Sequence, residues 1–134
     1  MSNAVEAAPS QSKSMSWAGR VVSALPVLVL VASAIMKLSH NPTAVAGLTG
    51  KYGYPEGAIA VIGTVELLCA VIYLVPLTSV LGAVLLTGYL GGAVATHVRA
   101  GEPFAIPVVV GVLVWAGLFL RDERIRALLP LKRG

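Results

Sequence analysis

Charge is the scarcest property of this sequence. Only 12% of its residues are charged and six are acidic, against 57% that are hydrophobic. The mean hydropathy is +0.85. A water-soluble domain of 134 residues needs many more polar side chains to cover its surface. Cysteine is almost absent too. The single Cys69 excludes an intrachain disulfide, and with no CxxC pair the usual dithiol chemistry is excluded as well. Cys69 lies in an apolar run, where an inert packed thiol is expected. There is no phosphate loop and no GxSxG elbow, and the glycine-rich stretches fall inside apolar segments, so soluble-enzyme classes are excluded. The net charge of +4 comes from basic residues that form no cluster on a soluble face, so no nucleic-acid partner is expected.

What the chain does have is long apolar blocks, the mark of membrane spans rather than amphipathic stripes. Residues 1–16 (MSNAVEAAPSQSKSMS) are small and polar, predicting a disordered tail. Four helices follow at about 17–38, 56–75, 79–98 and 104–120, forming a membrane domain over 17–120. Each is long enough for a hydrocarbon layer of roughly 30 Å, the fourth only just. The predicted fold is therefore an all-α membrane protein, a four-transmembrane-helix bundle. Ala32-Ser33-Ala34 ends an apolar stretch preceded by Lys13 and Arg20, which imitates a signal-peptidase site. The polar segment before it is long for a signal peptide, so the first block is read as a retained span.

The connections carry ordinary helix punctuation. Asn41-Pro42 reads as an N-cap with proline at the first helical position of a short surface helix. Tyr52 and Tyr54 suit the headgroup layer. Glu56 complements the dipole at the start of the second span. Pro76-Leu77-Thr78 makes a tight hairpin, with Thr78 or Ser79 available as a cap. Four spans put both termini on one side, together with Lys13, Arg20, Arg121, Arg124, Arg126, Lys132 and Arg133. These are seven of the ten Lys and Arg residues, against Lys37, Lys51 and Arg99 on the other side. The imbalance predicts cytoplasmic termini. The tail at 121–134, RDERIRALLPLKRG, sets Ile125, Leu128 and Leu129 on one side of a short basic helix, an interfacial segment suited to anionic lipid.

One residue stands out within the spans. In GTVELLCAVIYLV, from Gly63 to Val75, Glu66 is an ionisable group where a charge costs at least about 2.5–3.5 kcal/mol, so it must be shielded from lipid tails. Gly63, Cys69, Ala70 and Tyr73 share its face. Lys37 shares a face with Ser33, Pro26 and Ser23. His97 lies on a helix edged by Tyr89 and Thr96. The polar residues thus form one stripe per helix, converging on a common interior. Glu66 falls about 14 Å below the surface, while Lys37 and His97 lie near helix ends, which leaves roughly 10 Å of depth to bridge. Either a protonated Glu66 or a pairing with Lys37 satisfies the site, and Tyr73, Tyr89, Thr96 or water are the other hydrogen-bonding groups available. Taken singly, Glu66 can serve only to fix helix register, and Lys37 and His97 can be interfacial anchors. Together, Glu66, His97, Lys37, Tyr89, Thr96 and Tyr73 are candidates for a ligand or proton-relay site. No metal ligand set is present, although His40 and His97 both lie towards the outside, where a haem would need them. Gly88 and Gly92 form a GxxxG, expected to pack against another helix of the same chain, with a homodimer seam as the alternative; Gly63 is a further packing glycine.

The stretch GYPEGAIAVIGTVELLCAVIYLVPLTSVLGAVLLTGYLGGAVATHVRAGEP, with ASAIMKL upstream and GVLVWAGLFLRDERIRALLP downstream, resembles the DoxX-like family of small bacterial membrane proteins over about residues 33–130. The resemblance implies a compact four-helix membrane bundle. It also implies a link to thiosulfate oxidation through quinone, to oxidative-stress complexes or to receptor assembly, with no motif assigning a role to Lys37, Glu66, Tyr89, Thr96 or His97. Three functions follow as expectations. The first is a non-catalytic membrane subunit or assembly partner of a redox or stress-response complex. The second is binding of a quinone or small lipid by the intramembrane Glu/His/Lys cluster, with quinone the cofactor considered. The third is a small oligomeric transporter, disfavoured because no span is discontinuous.

Overall fold

The computed structural model describes residues 12–132. Its elements are helical throughout, and no strand occurs among the described residues. The helices are α1 (Lys13–Leu38), α2 (Pro42–Ala46), α3 (Glu56–Leu74), α4 (Ser79–Arg99), α5 (Ala105–Arg121) and α6 (Glu123–Leu128). A single π turn, Gly47–Lys51, continues α2, and a 3-10 turn, Pro76–Thr78, joins α3 to α4.

Local sequence explains most of the boundaries. The Ser12 hydroxyl caps α1 by accepting from the Met15 amide at 3.1 Å, so α1 starts four residues before the predicted position and takes in part of the predicted polar tail. The rest of that tail, residues 1–11, lies outside the described residues. Asn41 caps α2 as expected, accepting from Thr43. The hairpin hydroxyls do not cap α4. Thr78 Oγ1 donates back to the Ile72 carbonyl at 2.8 Å and Ser79 Oγ to the Val75 carbonyl at 3.1 Å, satisfying the carbonyls that α3 leaves open at its end.

The four long helices pack in a closed ring, α1 on α3, α3 on α4, α4 on α5 and α5 on α1. Three of the four contacts are made at glycines. A Cβ added at Gly63 would lie 2.9 Å from Lys37 Cβ, one at Gly82 would strike the backbone of Tyr73, and one at Gly19 would lie 2.8 Å from the Arg121 backbone. Gly117 makes a second close approach of α5 to α1, at Ser23. Backbones in contact gain dispersion energy over long stretches, which is how helices associate where solvent supplies no hydrophobic drive. Leu30, Ile59, Leu86, Val114 and Leu118 fill the centre.

The outside of the ring is as apolar as the inside. Leu28, Val61, Ile106 and Val112 are more than 60% exposed, an exterior that fits lipid and not water. Three helical segments, Lys13–Leu38, Glu56–Leu74 and Pro76–Arg99, are long and apolar enough to cross a membrane, and Ala105–Arg121 is a shorter apolar helix. The predicted fourth span is thus the marginal one, at 17 residues or about 25 Å.

Both ends of the described chain lie at the same end of the ring, where Gly19 meets Arg121. This is the inner end below, and the opposite one the outer end. At the inner end α6 folds back so that Ile125 is buried in the core, while Leu128 and Leu129 stay exposed, so the tail is partly docked rather than wholly interfacial. Asp122 caps α6 through the Arg124 amide and also pairs with the Arg124 guanidinium at 3.0 Å. The hydrogen bond from Arg124 holds the Asp122 carboxyl below its ordinary value. A carboxyl lowered in the folded state stabilises above its unfolded pKa of about 4 and loses that contribution as pH falls through the lower folded value. The protection of the α6 amides against hydrogen exchange, relative to the intrinsic rate at each pH, is therefore expected to fall below about pH 4. Asp122→Asn, which keeps a capping side chain but loses the charge, is expected to flatten that pH dependence, and an unchanged profile would refute the role.

Candidate functional site

The site is built where α1 stops short. Lys37, the last residue but one of α1, touches Gly63, which lies seven residues inside α3. The end of α1 is therefore about 10 Å deeper than the start of α3. Level ends would have left Lys37 and Glu66 that far apart. With this stagger Glu66 is one turn below Lys37, and the two side chains meet directly.

Lys37 Nζ donates to Glu66 Oε1 at 2.8 Å, to Ser33 Oγ at 2.6 Å and to Tyr89 OH at 3.4 Å. All three ammonium hydrogens are thereby used. Glu66 is 3% exposed and also interacts with the Tyr89 phenol, which donates to it. The pairing that the sequence left open is present, and it removes the lone buried charge. Ser33 sits one helical turn before Lys37, the spacing at which side chains share a face.

Above this cluster lies a cavity of about 540 Å³, within the 300–1,000 Å³ range of small-molecule sites. Ser33, Lys37 and Tyr89 form its inner end, and Thr96 and His97 its outer end. The roof is the segment that looked like a surface connection: Thr43 and Ala44 of α2, the π turn, and Tyr52 and Tyr54. That segment fills the space left above the short α1. It is fastened at several points to α4 and to the connection that follows it. Thr96 Oγ1 donates to the Gly92 carbonyl at 2.8 Å, so the hydrogen in the 2.7 Å contact between Tyr54 and Thr96 belongs to Tyr54. Arg99 donates to the Tyr52 carbonyl at 2.6 Å, and Lys51 pairs with Glu102 at 3.4 Å. The Tyr52 ring packs on His97, with centroids 5.1 Å apart.

His97 Nδ1 lies 2.6 Å from the Ala93 carbonyl. A carbonyl only accepts, so Nδ1 carries the hydrogen and Nε2 of the neutral ring is an acceptor. Nε2 has no partner among the described residues. His40, the other histidine, is exposed, with its backbone at φ 54°, and is not part of the cavity wall.

Two sequence expectations need correction. Tyr73 shares a face with Glu66 but not its site. It is fully buried two turns towards the inner end, donating to the Val114 carbonyl at 2.7 Å and contacting Ser23 Oγ at 3.0 Å. The Arg121 guanidinium covers its ring at 5.1 Å and bonds the same Ser23. Tyr73 ties α1, α3 and α5 together and is a structural residue. Gly88 and Gly92 do not seat a helix of this chain, since a Cβ at either meets nothing within 4 Å. They border the cavity instead. Sequence reasoning places Ser33 on the Lys37 face without counting it in the site, and it assigns Tyr52 and Tyr54 to the headgroup layer rather than to the cavity.

This arrangement of polar positions on apolar helices sits within a matched family model, which covers residues 21–117. The chain belongs to the DoxX-like family. No curated protein and no solved structure matches it. The matched part of this DoxX-like chain holds every residue of the Lys37 cluster together with His97 and the roof. Among the described residues no three of His, Cys, Asp and Glu gather as a metal site would require, and Cys69, free and buried, lies one turn below Glu66 without a thiol partner.

Proposed function

We propose that this DoxX-like protein lies in the inner membrane of a bacterium with both termini in the cytoplasm, and that it binds a small amphiphile in the outer half of its helix ring. The observation that carries this reading is the cavity, apolar along its walls, polar at both ends and roofed by a fastened segment. A well-formed apolar cavity with a few convergent polar groups is the usual form of a ligand site. Sequence alone ranks a non-catalytic subunit role above ligand binding; the cavity, which no sequence pattern announces, supports the reverse order. A quinone, with a flat carbonyl-bearing head and an apolar tail, belongs to the class of molecule such a site would take. The orientation rests on the excess of Lys and Arg at the inner end.

The test is a mass spectrum of the protein released from its membrane in mild detergent. A bound amphiphile is expected on the wild type. It is expected to be lost from Gly92→Phe, which places a ring in the cavity at a position where added atoms meet nothing. Identical spectra for the two proteins would refute the reading.

A further inference from the structure

We infer that the cavity selects uncharged amphiphiles and rejects anions, in spite of the lysine on its wall; the inference rests on the ligand-binding reading above and names the class of ligand. The argument is an inventory of hydrogens. Lys37 has three N–H groups, and Glu66, Ser33 and Tyr89 take all of them. None is left for a ligand. The Lys37–Glu66 pair has no net charge whichever partner holds the proton, so it exerts little pull on an anion. An anion entering the apolar cavity would give up its hydration and gain only neutral hydroxyl donors in return, with no free cationic group to balance its charge.

Besides the Thr43 and Tyr52 hydroxyls in the roof, two groups remain open, one at each end of the cavity. Ser33 Oγ accepts from Lys37, and its own hydroxyl hydrogen has no partner among the described residues. His97 Nε2 has no partner among the described residues, and with Nδ1 donating to Ala93 it is the acceptor of the neutral ring. The first is at the level of Tyr89 and the second is eight residues further along α4, an axial separation of about 12 Å between their backbone levels. The cavity therefore offers a neutral donor at its inner end and a neutral acceptor at its outer end, beneath a roof that carries two further neutral hydroxyls. The molecule that matches carries an ether or carbonyl oxygen towards Ser33 and a hydroxyl towards His97.

Three single-chain probes of equal tail length separate the classes: 1-decylglycerol, decyl sulfate and decyltrimethylammonium. Each is titrated into the protein in phosphatidylcholine nanodiscs, with empty nanodiscs subtracted. Wild type is expected to bind 1-decylglycerol at least about tenfold tighter than either ion, the scale of an extra satisfied hydrogen bond plus avoided desolvation. His97→Ala is expected to weaken 1-decylglycerol by up to about tenfold without improving the ions, whereas Ser33→Ala, which removes the donor and also frees one Lys37 hydrogen, is expected to weaken 1-decylglycerol and narrow its margin over decyl sulfate. Glu66→Gln leaves the Lys37 charge uncompensated, and decyl sulfate is then expected to become the preferred probe. Decyl sulfate bound by wild type as tightly as 1-decylglycerol would overturn the inference while leaving the ligand-binding reading intact. Saturable binding of none of the probes, with Gly92→Phe indistinguishable from wild type, would overturn both. His97 makes no contact with the ion pair, so the wild-type and His97→Ala results stand even if Glu66→Gln fails to fold.

Discussion

Lys37→Met is expected to destabilise the protein by about 3–5 kcal/mol, the loss associated with removing one partner of a buried ion pair. The partner left behind is Glu66, 3% exposed. In wild type the carboxylate gains the ammonium at 2.8 Å. In the variant it keeps only the Tyr89 phenol. The methionine side chain matches the aliphatic length of lysine, so the contact of Lys37 Cβ with Gly63 survives and the effect isolates the charge. Thermal unfolding in detergent is expected to shift down by on the order of 10 °C. The double variant Lys37→Met with Glu66→Leu should recover most of the loss, because an apolar pair of similar volume avoids the desolvation that the ion pair must offset. If the single and double variants unfold together, the pair does not hold α1 to α3.

Gly82→Ala is expected to destabilise by about 1–3 kcal/mol, the range for overpacking a tight contact. The added methyl would meet the Cα and amide nitrogen of Tyr73. Backbone cannot rotate away as a flexible side chain can, so α3 and α4 must separate. Separation also disturbs the bonds from Tyr73 to Val114 and Ser23, which join α3 to α5 and α1. Gly88→Ala, six residues along the same helix, provides the control. Nothing lies within 4 Å of its added methyl, and alanine is favoured over glycine in a helix by roughly 0.5–1 kcal/mol. The two substitutions are chemically identical and are expected to differ in sign. Equal unfolding midpoints for both would mean that the α3–α4 crossing is looser than the backbone contact at Gly82 indicates.

Much of the candidate site was legible before any coordinates. Helical periodicity assigns Glu66, Lys37 and Tyr89 to inward faces, and the structure brings these three together. Periodicity carries no information about depth, and that is where the reading failed. Tyr73 was grouped with Glu66 because they share a face, although two helical turns separate them. The gap foreseen between Lys37 and Glu66 assumed helix ends at one level, whereas α1 ends well below the start of α3. Gly88 and Gly92 matched a packing motif, but small residues permit close approach without requiring it. The segment from Pro42 to Tyr54 has the composition of a surface turn, and its role as a roof follows from the empty space above α1.

Sequence by itself determined that the chain is helical, that its helices are suited to lipid, which residues share a polar face, and the family to which it belongs. Those are local properties, set by side-chain hydropathy and by the repeat of the helix over neighbouring residues. Tertiary structure decided the axial stagger of α1, the meeting of Lys37 with Glu66, and the cavity beneath the roof. The stagger is set where α1 packs on α3 at Gly63, through contacts between separate helices whose relative height no local pattern encodes.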